Sequence, residues 1–189
     1  LQEAAGKYGI ELVHLKSLTT HPSPNYRLVL QLAQKKAIED NAHLVIVESD
    51  VVIQPATIQK LMLQAAKVKN PGLIAAVTTD ETGEINFPYL FARSYRKGTV
   101  ETGKRLSFCC TLLTNRFLNA YNFENLDPEK TWYDIYISHK STKLGFKNYL
   151  LTNVPVLHLP HSSRPWKMLK YTNPLKYYWK KYTKGLDKI

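Results

Sequence analysis

The sequence predicts an α/β domain with a mainly parallel, open sheet flanked by helices, and three observations predict it. First, the runs Leu44–Val47, Leu73–Thr78 and Leu106–Leu113 are largely apolar, as suits strands covered on both faces. Second, the stretches between them have helical spacing. Tyr26, Val29, Leu30, Ala33 and Ala37 share one face, as do Ile58, Leu61, Met62, Ala65 and Val68. Third, strand and helix signals alternate along the chain, the pattern of a layered α/β fold.

Each element can be justified in order. Leu1–Tyr8 reads as the end of a helix stopped by Gly9, and Ile10–Leu15 as a short strand. Thr19–Pro24, with two prolines, is a turn, and a helix starts near Asn25, a residue suited to cap it. The strand at 43–48 follows. Pro55 suits the first turn of the next helix, which Asn70-Pro71-Gly72 ends. Leu73–Thr78 is a buried strand, and Thr79–Arg105 is loops and short strands. Then come a strand at Leu106–Leu113, a helical turn at Asn115–Ala120 and a helix at Trp132–Leu144 closed by Gly145. Asn148–His158 is the last strand region. This gives one domain over residues 1–159 and a basic aromatic extension over 160–189.

At 189 residues with 44% hydrophobic content, the chain can bury one good core. No apolar run approaches the length of a membrane span, and no signal peptide is visible. The chain begins at Leu1 and its first methionine is Met62, so a piece of a longer protein is expected. Cys109 and Cys110 are adjacent in an apolar run and match no metal knuckle, so buried free thiols in a reducing, cytoplasmic setting are expected.

Charge is concentrated at the end. Of the net +11, seven surplus positive charges fall in the last thirty residues, where eight Lys or Arg face Asp187 alone. Trp166, Tyr171, Tyr177, Tyr178, Trp179 and Tyr182 interleave with them. That mixture suits an anionic membrane surface, single-stranded nucleic acid, or a solvated basic helix packing its rings on the domain.

The most informative stretch is His43-Leu-Val-Ile-Val-Glu-Ser-Asp-Val-Val-Ile53, where an apolar run stops abruptly in Glu48 and Asp50. Ligands of open α/β sheets bind beyond the carboxyl ends of the strands. Two carboxylates there repel each other unless a cation lies between them, and a hard divalent ion carrying a phosphate-bearing substrate fits. A strand ending in a plain polar turn is the alternative.

The order of these signals resembles family 2 glycosyltransferases of the GT-A fold. The resemblance is carried by Asn25-Tyr-Arg, Ala33-Gln-Lys-Lys-Ala-Ile, Leu44–Pro55, Cys109–Leu113, Phe123-Glu-Asn, Trp132-Tyr-Asp, Gly145-Phe-Lys, the pair Val156 and His158, and His161-Ser-Ser. It covers nearly the whole chain through loose motifs. The family's opening strands, which hold the nucleotide base, have no counterpart before Leu1. Tyr133 also stands where glutamate is frequent, and Arg27 and Lys35 where glycine and asparagine are.

The resemblance implies a metal-dependent, inverting transfer of sugar from a nucleotide-diphosphate donor to an acceptor hydroxyl, in cell-surface or extracellular glycan synthesis. It implies Mg²⁺ or Mn²⁺ held by Asp50, with Glu48 bonding the metal or the donor's ribose and His158 completing the site. Asp134 would be the general base. Asn25, His161 and Arg164 would contact the donor, and Trp132 and Tyr133 would form a platform for the acceptor sugar. The acceptor would be a glycan or a lipid-linked sugar, and the enzyme would be peripheral on the inner face of the cell membrane. A different class is a non-catalytic basic α/β module for anionic lipid or nucleic acid. Glu48 and Asp50 disfavour nucleic acid, because without a metal they repel phosphates.

Overall fold

A computed structural model of the chain describes residues 1–20, 25–129, 132–159, 169 and 173–183. Its strands are β1 (Leu44–Val47), β2 (Val51–Val52), β3 (Pro71–Thr79), β4 (Thr99–Glu101), β5 (Cys110–Leu113) and β6 (Lys147–His158). They form one six-stranded sheet in the order β1-β5-β3-β6-β2, with β4 paired to β6 off that path. The α-helices are α1 (Gln2–Tyr8), α2 (Tyr26–Glu39), α3 (Thr57–Lys67), α4 (Asn115–Ala120), α5 (Tyr133–Lys143) and, near the end, α6 (Pro174–Thr183).

The centre of the sheet is buried on both faces. Every residue of β3 from Gly72 to Thr79 is buried. Its side chains divide by the two-residue period of a strand. Leu73, Ala75 and Val77 join Leu30 and Ala37 of α2, Phe117 and Leu118 of α4, and Tyr133 and Ile137 of α5 in one core. Ile74 and Ala76 join Leu61 of α3 with Leu112, Tyr149 and Leu151 in the other. Helices therefore cover both faces.

The expectation of a mainly parallel sheet is not met: the sheet is mixed. Among the described residues only β3 and β6 pair in parallel, while β1–β5, β3–β5, β2–β6 and β4–β6 are antiparallel. The reason is that burial between two helical layers makes any strand uniformly apolar, whichever way its neighbours run. Leu106–Leu113 contributes only Cys110–Leu113 as strand, although all of it is buried. Ile10–Leu15 is not a strand. It finds no ladder partner among the described residues, Ile10 and Val13 stay exposed, and the His14 carbonyl accepts from the Ser17 amide at 3.0 Å to start a 3-10 turn.

The helices agree closely with the sequence pattern. Gly9 closes α1 at φ 63° and Gly145 follows α5 at φ 83°, left-handed values that glycine adopts without strain. The buried face of α2 is rotated from the expected one: Leu30, Gln34 and Ala37 are buried, and Val29 is exposed. Gln34 is satisfied inside the core. Its amide nitrogen donates to the Leu118 and Tyr121 carbonyls at 2.8 and 2.6 Å, and its oxygen accepts from the Phe123 amide at 2.7 Å. Asn25 stands at the N-cap of α2 but makes no side-chain cap bond.

Candidate metal and catalytic site

One edge of the sheet gathers the chemistry. β1 runs there into Glu48, β3 runs into Asp80, β6 ends in His158, and antiparallel β5 begins there just after Cys109. The chain reverses at Glu48–Val51, where the Val51 amide donates to the Glu48 carbonyl at 3.1 Å. β2 then pairs with the end of β6, placing Val51 opposite His158, and the Leu159 amide donates to the Asp50 carbonyl at 2.9 Å. Backbone register thus brings Asp50 to His158.

Their side chains meet inside the protein. His158 Nε2 lies 3.3 Å from Asp50 Oδ2, with the side chains 6% and 11% exposed. His158 Nδ1 lies 2.7 Å from the Phe87 carbonyl. A carbonyl only accepts, so Nδ1 carries the hydrogen. In the neutral ring, Nε2 then turns a lone pair toward a carboxylate oxygen. Two arrangements satisfy that contact: one proton between Nε2 and the carboxylate oxygen, or a cation bound by both atoms. A metal-bound histidine characteristically donates its other N–H to a carbonyl, as His158 does. The separation also fits neighbouring ligands of one small divalent ion, about 3 Å apart for metal–ligand bonds of about 2.1 Å. Among the described residues no group of three or more His, Cys, Asp or Glu side chains could hold a metal. The pair could offer a cation two ligands at most, the number Mg²⁺ takes from protein when substrate phosphates and water complete its shell.

Glu48 turns elsewhere. Its Oε2 accepts a hydrogen bond from the Cys109 thiol at 3.3 Å, and Cys109 Sγ lies 3.3 Å from Ser107 Oγ. The sequence reading placed a cation between the two carboxylates, whereas the structure gives each its own partner. Burial pushes Glu48 above its ordinary pKa. The thiol's hydrogen bond opposes that rise, and the negative charges of Asp50 and Asp134 add to it. Burial, and then Glu48, also push Cys109 far up, so it serves as a thiol donor and not as a nucleophile. Burial raises Cys110 to about 11. Both cysteines are free.

The Glu48 shift carries a prediction. Its folded pKa lies above the ordinary 4.5, so the native state keeps a proton that the unfolded chain releases. Stability falls as pH rises through that window and stays lower above it. Glu48→Gln retains an oxygen for the Cys109 thiol. It should raise the melting temperature at neutral pH and lose that advantage below pH 4.5. A variant that melts lower than the parent at neutral pH would contradict this.

The remaining residues of the site fall into place around α2 and α5. Asp134 sits in the first turn of α5, and its charge reaches Glu48 and Tyr26. Trp132, just before that turn, is half-buried. Tyr133 belongs to the core: it is buried, tilts against Tyr26 with ring centroids 6.3 Å apart, and donates its hydroxyl to the Asp127 carbonyl at 3.0 Å. That use leaves its ring little freedom to serve as a platform. His161 and Arg164 lie outside the described residues.

Sequence reasoning missed three participants. Tyr26 was read only as a helix-face residue. Its hydroxyl is buried with no hydrogen-bond partner among the described residues, and burial followed by the Glu48 and Asp134 charges raises its pKa strongly. In the sequence Cys109 reads as a buried free thiol, and the Phe87 carbonyl carries no mark there. Beside His158, an open cleft of 320 Å³ is lined by Asp80, Glu81, Thr82 and Leu159. Asp80 folds its loop by accepting from the Thr82 amide, the Thr82 hydroxyl and the Glu84 amide at 2.9, 2.6 and 3.1 Å.

Fold and site together define a mixed α/β domain with a buried histidine–aspartate pair at the sheet edge where β1, β3 and β6 end. The chain matches no protein-family model and no curated protein. Among solved structures it is similar to A197 from STIV, at 16% sequence identity and a TM-score of 0.52, over 85% of this chain and 78% of that one. At that identity the likeness shows the fold alone.

Proposed function

We propose that this chain is the metal-dependent catalytic part of a nucleotide-sugar transferase of the GT-A type, acting with inversion on a glycan or lipid-linked acceptor. One observation carries the reading: the Nδ1–H of His158 bonded to the Phe87 carbonyl, which aims Nε2 at Asp50 Oδ2 from 3.3 Å. Asp50 and His158 would hold Mg²⁺ or Mn²⁺. When bound, such an ion neutralises the charge that grows on a departing diphosphate.

The chain's own residues supply the rest. Glu48 is held by the Cys109 thiol, so its second oxygen stays available to a ribose hydroxyl. Tyr26 offers a buried hydroxyl with no partner among the described residues, a donor that a substrate oxygen can satisfy. Asp134 takes the proton from the acceptor hydroxyl as general base. Trp132 stands beside it and presents an aromatic face to the acceptor sugar.

Paramagnetic broadening tests the metal site without relying on activity. Mn²⁺ added with a nucleoside diphosphate should broaden NMR signals of residues 48–51 and of His158. Asp50→Asn is nearly isosteric and should abolish the effect while the fold persists. Broadening that survives Asp50→Asn would remove this site from the reading.

A further inference from the structure

The helix α6 turns its apolar stripe away from the protein. Tyr177 is buried at 5% exposure, whereas Leu175, Tyr178, Trp179 and Tyr182 stand 86%, 46%, 71% and 77% exposed. At about 3.6 residues per turn, those four side chains share one stripe opposite Tyr177. Lys176 and Lys180 border it on one side and Lys181 on the other. No acidic residue interrupts α6.

Single exposed apolar side chains are ordinary, but a continuous stripe with three aromatic rings marks an interaction surface. We propose that α6 docks flat on an anionic lipid surface, with Leu175, Tyr178, Trp179 and Tyr182 at the headgroup–acyl boundary and the flanking lysines on lipid phosphates. Charge complementarity selects this occupant. The lysines ring the apolar stripe without entering it, the order of layers at a bilayer surface. Trp and Tyr favour that depth because one end of each ring is apolar and the other wet. Leu175, the most exposed of the four, has no ring to stack on a base, which separates the stripe from a single-strand platform. The helix lies on the surface: among the described residues none is long and apolar enough to cross a membrane. The inference is independent of the sugar-transfer reading.

Co-sedimentation of the whole chain with vesicles tests it. Vesicles of phosphatidylcholine mixed equally with phosphatidylglycerol should bind the chain far better than phosphatidylcholine alone, and salt should weaken that binding without abolishing it. The L175A/W179A variant should bind mixed vesicles about tenfold or more weakly, and the remainder should vanish in high salt. Each lysine near such a surface is worth roughly fivefold in affinity, so K176Q/K180Q/K181Q should lose about a hundredfold at low salt. Leu175, Lys176 and Trp179 are exposed and Lys180 and Lys181 half-buried, and unchanged circular dichroism and melting confirm that folding is intact. Equal binding to neutral and mixed vesicles, or binding indifferent to L175A/W179A, overturns the proposal. Tighter binding to a single-stranded oligonucleotide than to vesicles does so too. Dimers in ultracentrifugation that L175A/W179A abolishes would assign the stripe to a second copy and also overturn it.

Discussion

Asp134→Asn should lower the rate of sugar transfer by about a hundredfold or more, the usual contribution of a positioned general base, while donor affinity stays nearly unchanged. Asparagine has almost the same shape as aspartate but cannot take up the acceptor's proton. Asp134 stands in the first turn of α5, where the helix dipole favours an anion, so the variant also forfeits about 0.3–1 kcal/mol of helix stability. That loss is too small to unfold the domain. Separate measurement of kcat and of donor binding distinguishes the two effects. A drop of only a few-fold would make Asp134 a bystander. Attention would then turn to Glu124, Asp127 and Glu129, of which Asp127 already accepts from the Glu129 amide at 2.9 Å.

The parts of this site that a sequence can show are those written in consecutive residues. An apolar run that stops in Glu48 and Asp50 announces a polar strand end, and β1 does end at Val47. The partner of Asp50 is another matter. His158 reaches it only because Val51 registers with His158 across the sheet, a pairing between distant segments that no local pattern encodes. The Phe87 carbonyl that fixes the imidazole is backbone and has no sequence signature. The likeness in order to a known family raised His158 as a candidate, but the ring's orientation came from the structure.

The same division runs through the fold. α4, α5 and β6 lie within a residue or two of their expected bounds, because periodicity and a stop at Gly145 are local signals. Strand direction was not legible. Burial on both faces looks alike in Leu73–Thr78, which pairs in parallel with β6, and in Cys110–Leu113, which is antiparallel to both its neighbours. Gln34 carries no mark of burial in the sequence, since glutamine is usually exposed. Its burial follows from three backbone groups around α4 and the turn after it that need partners. Ile10–Leu15 shows the converse: a strand-like run remains irregular when no edge pairs with it.

Gly72→Ala should destabilise the domain by about 3 kcal/mol and lower Tm by roughly 10 °C, the upper end of what overpacking a core costs in a domain of this size. Gly72 lies in β3 under α5, and a Cβ there would overlap the Ser141 hydroxyl and stand 2.8 Å from Phe146 Cβ. Neither neighbour can yield freely. Ser141 is fully buried and donates to Asn148 Oδ1 at 2.8 Å, while Asn148 Nδ2 donates to the Ser138 carbonyl at 2.9 Å. Phe146 is wedged edge-on against Phe117 with centroids 5.7 Å apart. Moving α5 outward would break that network and shift Asp134, which the same helix carries into the site. Ser141→Ala removes the overlapping hydroxyl, so Gly72→Ala with Ser141→Ala should be less destabilised than the sum of the two single changes, a positive coupling expected of touching residues. Denaturant midpoints of the four proteins measure it. Strict additivity would place the strain on Phe146, and an unchanged Tm in Gly72→Ala would show that α5 does not press on β3 as closely as the packing indicates.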